Sequence, residues 1–196
     1  ECGVENFIFL SSVKAGRIGD DDSHLNLVEV SELDSPYSRS KREAEIRLKQ
    51  LCDASSTNLC IVRPSLVYGP NVKGNLYLLS KFSSSFFFPS LIDFTNKKSM
   101  IHVDDLVIFL YQLHVNNEND IKQIFILTDG LTYSSSDIMN SFTSKSKFFS
   151  LKQEHLKSMA KFFLKFGINL DKLSQDDYYI SKLQGELGFK PKLSLK

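Results

Sequence analysis

Along this chain, short runs of β-branched and aromatic residues alternate with longer segments of helical character. Asn6–Leu10 (NFIFL) reads as a buried strand that ends in the polar pair Ser11-Ser12. Residues 14–35, with Gly16, Gly19 and Asp20–Asp22, read as a loop, and the triple aspartate is expected as a solvated turn. Ser35-Pro36 opens a helix with proline in the first turn, where its missing N–H costs nothing. Ala44, Ile46, Leu48 and Leu51 give that helix an apolar side, and Asp53–Asn58 closes it. Leu59–Val62 (LCIV) is a second short strand, ended by Arg63-Pro64, and Tyr68-Gly69-Pro70 marks a turn.

Beyond the turn, helices are expected over Asn75–Phe82, His102–Leu113, Ser135–Phe142, Gln153–Phe166 and Tyr179–Leu187, the last ending at Gly188. A third strand is expected over Gln123–Leu127. Asp104-Asp105 suits a helix N-terminus, and the Ser83–Phe88 stretch suits core or an interface. Strands alternating with helices predict an α/β fold with a parallel sheet, and the Lys- and Ser-rich last third predicts an added, mostly helical lobe.

Composition narrows the class without naming a function. The 196 residues are 42% hydrophobic and carry 24 basic against 23 acidic side chains, a net charge of +1. That is a globular composition with no electrostatic footprint for nucleic acid or an anionic membrane. The strongest apolar run, Leu106–Leu110, is far too short to span a bilayer. Cys2, Cys52 and Cys60 are widely spaced and odd in number, which fits reduced thiols and a cytoplasmic location better than a disulfide framework or a zinc site. No metal site is expected.

Candidate chemistry centres on Ser12 at a strand end with Tyr37 and Lys41 on the following helix. An i, i+4 spacing puts the phenol and the amine on one helix face, about 5–6 Å apart at Cβ. A phenol has a pKa of about 10, too high for a base at neutral pH, and a neighbouring ammonium favours its ionised form. A serine hydroxyl can hold the reacting oxygen of a sugar, so the group suits proton transfer coupled to hydride transfer. The pattern alone is weak, because Tyr77…Lys81 and Tyr178…Lys182 match it too. Only Tyr37…Lys41 lies between a strand ending in Ser-Ser and a strand ending in Arg-Pro, and open α/β sheets keep their sites at such ends.

Four ordered segments, NFIFLSSVKAG, SPYSRSKREAE, VRPSLVYGPNVKGN and IHVDDLV, together with YISKLQGELGFKP near the end, resemble the NAD-dependent epimerase/dehydratase family. These are extended short-chain dehydrogenase/reductases acting on nucleotide-sugars, and the resemblance covers nearly the whole chain. It implies the C-terminal portion of a Rossmann-type doubly wound sheet, with residues 1–75 and 101–129 in the NAD-binding domain. Residues 76–100 and 130–196 would form the nucleotide-sugar lobe. By the same resemblance Ser12 matches the catalytic Ser/Thr, Tyr37 the general acid/base and Lys41 the lysine that binds the cofactor. Ser11, Pro64 and Ser65 would line the nicotinamide side of NAD, and Asn75 and Lys98 would contact the diphosphate of a UDP-sugar.

Plainer readings stand beside these. The two serines can cap a strand end, Asn75 can cap a helix, the Lys97-Lys98 pair can be solvated surface, and His102 can be structural. Val13-Lys14 follows Ser12 where the family's dehydratases carry an Asp-Glu pair, which disfavours dehydration. C4 epimerisation of a UDP-hexose through a transient 4-keto sugar is expected, with NAD(P)H-dependent reduction of a UDP-4-keto-6-deoxy sugar as the alternative. None of the nine glycines forms the G-x-x-G-x-x-G phosphate cradle. With Glu1 in place of Met, this leads to the expectation that the family's first third is absent. A truncated, non-catalytic remnant unable to hold NAD is the rival expectation. The resemblance also implies a possible homodimer of the full-length protein.

Overall fold

The computed structural model describes residues 3–22, 29–71, 76, 94–115, 124–142 and 174–195. Strand β1 (Asn6–Leu10) leads through a short 3₁₀ turn at Val13–Ala15 toward helix α1 (Pro36–Asp53), and then strand β2 (Asn58–Pro64). β3 (Leu66–Tyr68), β4 (Lys98–His102) and α2 (Val103–Val115) follow. β5 (Ile124–Leu127), β6 (Thr132–Tyr133), α3 (Ser135–Ser141) and the short α4 (Leu183–Glu186), with a second 3₁₀ turn at Val30–Glu32 before α1, complete the described elements.

β1, β2 and β5 form a parallel sheet in that order, with Phe7 opposite Leu59 and Val62 opposite Phe125. Period-two alternation divides β2 between two layers. Leu59 and Ile61 pack with Cys52 and Leu48 of α1, while Cys60 and Val62 pack with Leu106, Phe109 and Leu113 of α2. Phe109 meets Phe125 and Phe189 edge-on, with ring centroids 5.5 and 5.0 Å apart, so the C-terminal segment closes this second layer. Helices on both faces of a parallel sheet agree with the α/β reading.

A second sheet, β3-β4-β6, was missed by the hydrophobic pattern. β3 and β4 run parallel and β4 and β6 antiparallel, with strands of only five residues or fewer. β3 and β6 are too short to show an apolar run, and β4 (KSMIH) is mostly polar. β3 ends at Gly69 (φ +146), where a Cβ would stand 2.6 Å from Val103 Cγ1, so this close approach to α2 requires glycine.

Three further expectations need correction. The apolar side assigned to α1 is its buried side only in part: Leu48 packs on β2, but Leu51 is 68% exposed while Ser38, Arg42, Glu45 and Cys52 are buried. Arg63 lies on the α1 face of β2, in alternation with Leu59 and Ile61, and a buried guanidinium draws polar partners beneath the helix. The triple aspartate is not a solvated turn: Asp20 and Asp22 are buried. Asp22 accepts hydrogen bonds from the backbone N–H groups of Ile126 (3.2 Å), Lys182 (2.7 Å) and Leu183 (3.2 Å). Burial raises its pKa against those three donors. Finally, helix α4 covers only Leu183–Glu186 of the segment expected over Tyr179–Leu187, because Tyr179 and Ile180 are tied to Ser99 and Asp20 instead. The helices expected over Asn75–Phe82 and Gln153–Phe166 lie largely or wholly outside the described residues, and the Ser83–Phe88 stretch and Cys2 lie wholly outside them. No helix among the described residues is long and apolar enough to cross a membrane.

Candidate active site at the strand ends

The C-terminal ends of β1 and β2 lie side by side and carry the candidate residues. Ser11 N donates to Val62 O at 2.7 Å and Ser65 N to Leu127 O at 3.0 Å, so both strand ends continue the sheet pattern before the chain turns away. Ser12 then caps the 3₁₀ turn, its hydroxyl oxygen accepting from Lys14 N at 3.2 Å. A hydroxyl that accepts one bond keeps its own hydrogen to donate, so the cap leaves that hydrogen available.

Helix α1 begins where the sequence says it should. Ser35 caps it by accepting from Ser38 N at 3.1 Å, and Pro36 occupies its first turn. Tyr37 is 54% exposed, and one turn on Lys41 donates from Nζ to Leu10 O at 3.1 Å. The same ammonium stands 5.3 Å from the centroid of Phe9. Lys41 therefore bridges α1 to the end of β1, two residues before Ser12. Of the other matches to the pattern, Tyr178 and Lys182 precede α4 rather than share a helix, with Lys182 paired to Asp21; Tyr77…Lys81 lies outside the described residues.

Beneath this surface lies a buried polar cluster that the motif search did not find. Glu45 accepts from Ser11 Oγ at 2.6 Å and from Arg63 through Nε at 2.8 Å and Nη2 at 2.7 Å. Arg42 Nη1 adds a fourth donor at 3.2 Å. Gly16 admits the cluster, since a Cβ there would stand 2.8 Å from Arg63 Nη1 and collide with the Asp20 carboxylate. The signal available in the sequence was Glu45 itself, two helical turns past Tyr37, facing an arginine just before the Pro64 strand end.

The remaining candidates divide. Ser11 turns its hydroxyl inward to Glu45. Pro64 ends β2, and Ser65 is buried with a hydroxyl that has no hydrogen-bond partner among the described residues. Asn75 lies outside the described residues. Lys98 is not solvated surface: it is 8% exposed in β4 and donates from Nζ to Gln175 O at 3.1 Å. His102 accepts from Asp104 N through Nδ1 at 3.2 Å and meets the Tyr68 ring edge-on at 5.1 Å, a structural placement at a helix start. Lys14, in the place of the dehydratase acids, pairs with Asp177 at 2.6 Å. Cys52 and Cys60 are free and buried, and burial pushes the Cys60 thiol up to about 12.

Burial lowers the pKa of Lys98, outweighing the attraction of Asp177. In the interval between that lowered value and the ordinary 10.5, the native amine is neutral while the unfolded one still binds a proton, so stability rises with pH there. Lys98→Met should flatten that rise in thermal melts taken from pH ~8 upward. Parallel wild-type and variant curves would exclude Lys98 as its source.

The sequence profile of the NAD dependent epimerase/dehydratase family matches residues 1–127. Over 150 residues the chain is 30% identical to a UDP-glucose 4-epimerase of Vibrio cholerae, covering 71% of this chain and 43% of that protein. It is 32% identical over 113 residues to the N-acetyl-alpha-D-glucosaminyl-diphospho-ditrans,octacis-undecaprenol 4-epimerase of Escherichia coli O157:H7, covering 55% of this chain and 33% of that one. Among solved structures, the UDP-glucuronic acid 4-epimerase from Bacillus cereus in complex with NAD superimposes with a TM-score of 0.68 at 17% identity, covering all of this chain and 59% of that one. The UDP-glucose 4-epimerase of Thermotoga maritima with UDP-glucose gives 0.64 at 16%, covering 98% and 60%. The chain thus spans less than half the length of these curated relatives. With the fold and the family profile in agreement, the chain belongs to the NAD dependent epimerase/dehydratase family.

Proposed function

We propose that the ends of β1 and β2, with the exposed face of α1, are the catalytic end of an NAD-dependent nucleotide-sugar epimerase acting at C4 of a UDP-hexose. The observation that carries this reading is the Lys41 Nζ–Leu10 O bond of 3.1 Å, which brings the Tyr37–Lys41 helix face to the strand end bearing Ser12. The names of the matched relatives, UDP-glucose and undecaprenyl-linked sugar 4-epimerases among them, support the reaction class.

The residues fit the nicotinamide-ribose end of NAD. Lys41 would hold the ribose hydroxyls, and the unpartnered buried hydroxyl of Ser65 offers one further polar contact at the strand ends. A bound nicotinamide supplies a reversible acceptor for the sugar's C4 hydride. Tyr37 takes the proton of the C4 hydroxyl as the C4–H bond breaks, and returns it when the 4-keto sugar is reduced on its opposite face. Ser12 donates to the C4 oxygen and holds it during the exchange. Lys41 stabilises the phenolate form in which Tyr37 accepts that proton. Lys14 in place of an acid leaves no group after Ser12 for eliminating water, which favours epimerisation over dehydration.

A second reading rests on the glycines: none of the nine forms a phosphate cradle within these 196 residues, which favours a chain that does not hold NAD by itself. Proton NMR of the sugar anomeric signals, after incubation with NAD and either UDP-glucose or UDP-N-acetylglucosamine, should show the C4 epimer. Consumption of NADPH with a UDP-4-keto-6-deoxy sugar, without epimerisation, would instead identify a reductase. No turnover combined with no NAD binding by calorimetry would favour the non-catalytic reading.

A further inference from the structure

The buried carboxylate of Glu45 takes no part in the chemistry proposed above, yet it touches every element that carries that chemistry. It sits on α1 one turn beyond Lys41 and two turns beyond Tyr37, and is 1% exposed. One oxygen, Oε1, accepts both Ser11 Oγ at 2.6 Å and Arg63 Nε at 2.8 Å; the other accepts Arg63 Nη2 at 2.7 Å and Arg42 Nη1 at 3.2 Å. Ser11 is the residue before Ser12, and Arg63 the residue before Pro64. A single side chain therefore joins the helix bearing Tyr37 and Lys41 to the ends of both strands.

We propose that Glu45 is a positioning residue, which sets where the Tyr37–Lys41 face of α1 stands relative to Ser12. The buried side chains in the N-terminal half of α1 are polar, so apolar side chains of the helix do not set this placement. The helix is held by Cys52 and Leu48 against Leu59 and Ile61 at its other end, while its buried residues near the site are the polar Ser38, Arg42 and Glu45. Hydrophobic contact tolerates sliding, whereas a bidentate guanidinium–carboxylate pair fixes both distance and rotation. A short charge-assisted bond from Ser11 extends that constraint to the strand end. Lys41 is the nearest reporter, because its bond to Leu10 O exists only while α1 and the end of β1 keep their spacing.

Two measurements on Glu45→Gln test this, and only the first rests on the proposed epimerase activity. Replacing one oxygen by an amide puts a donor against Arg63 or Ser11, so the lock loosens without a change in volume. Turnover of the UDP-sugar should fall by about 10- to 100-fold while its KM changes less than about twofold, as expected when reacting groups are misplaced but the sugar site is intact. The second measurement needs no turnover. Mass-spectrometric mapping of amine acylation should show Lys41 modified several-fold faster in Glu45→Gln, with Lys49, exposed on the same helix, unchanged. General loosening would accelerate both lysines alike, and that result would overturn the proposal, as would an unchanged Lys41. A protein that turns over no UDP-sugar would sink the epimerase reading and leave the lysine comparison to decide the role of Glu45. Should Glu45→Gln fail to fold, Ser11→Ala removes one donor of the four and should move Lys41 reactivity the same way by a smaller factor.

Discussion

Turnover of a UDP-sugar should fall by about 100- to 10,000-fold in Tyr37→Phe, the range over which a positioned acid/base accelerates proton transfer. Binding of the sugar nucleotide should change less than about twofold, since the phenol is assigned to the transition state rather than to ground-state affinity. The structure makes this a clean substitution. Tyr37 is 54% exposed, and the phenylalanine keeps the ring, so stability should stay within about 0.5 kcal/mol of the wild type. Initial rates by NMR and affinity by calorimetry separate the two effects. A variant retaining more than about a tenth of the wild-type rate would remove Tyr37 from the proton-transfer role, because loss of a general acid/base costs at least about 100-fold.

The choice of Tyr37 over the other matching tyrosines rests on its neighbours. The Ser11-Ser12 strand end, the Ser35-Pro36 helix start and the Arg63-Pro64 strand end are each local signals, and the structure keeps all three: the helix cap is formed, and the strands pair in parallel register. What the sequence concealed was the buried face of α1. Hydrophobic periodicity assumes that apolar residues face the core, and it picked Leu51, which is exposed, over Glu45, which is not. That assumption fails wherever a facing strand brings a charge inward. Arg63 does so here by simple alternation with Leu59 and Ile61, and no scan of α1 alone could reveal it. Asp22 escaped for a similar reason, since its three backbone donors come from residues more than 100 positions away. The strands β3 and β6 escaped because they are only two or three residues long, and β4 because Lys98, Ser99 and His102 break its apolar run, unlike the equally short β1 and β5.

Arg63→Met should be the most destabilising of the substitutions considered, costing about 3–5 kcal/mol in denaturant unfolding, the range for breaking a buried ion pair by removing one partner. Arg63 is 2% exposed and supplies two of the four donors that Glu45 accepts. Without it, a carboxylate 1% exposed retains only Arg42 at 3.2 Å and Ser11 at 2.6 Å, so its desolvation is no longer balanced by a bidentate partner. The loss places the effect toward the lower end of the range because those two donors remain. Removing both partners changes the argument: in Arg63→Met combined with Glu45→Met the unbalanced carboxylate is gone and packing of similar volume replaces the pair, at the cost of the Arg42 and Ser11 bonds to Glu45. The double variant should therefore be more stable than Arg63→Met alone, a non-additivity that identifies direct coupling between the two side chains. It should nevertheless be catalytically poor, because the spacing of α1 from the strand ends would then rest on apolar contact and the single Lys41–Leu10 bond. A double variant as unstable as the sum of its parts would show that Arg63 and Glu45 act independently. Recovered stability with full activity would show that the buried pair holds the fold together without setting the geometry of Ser12, Tyr37 and Lys41.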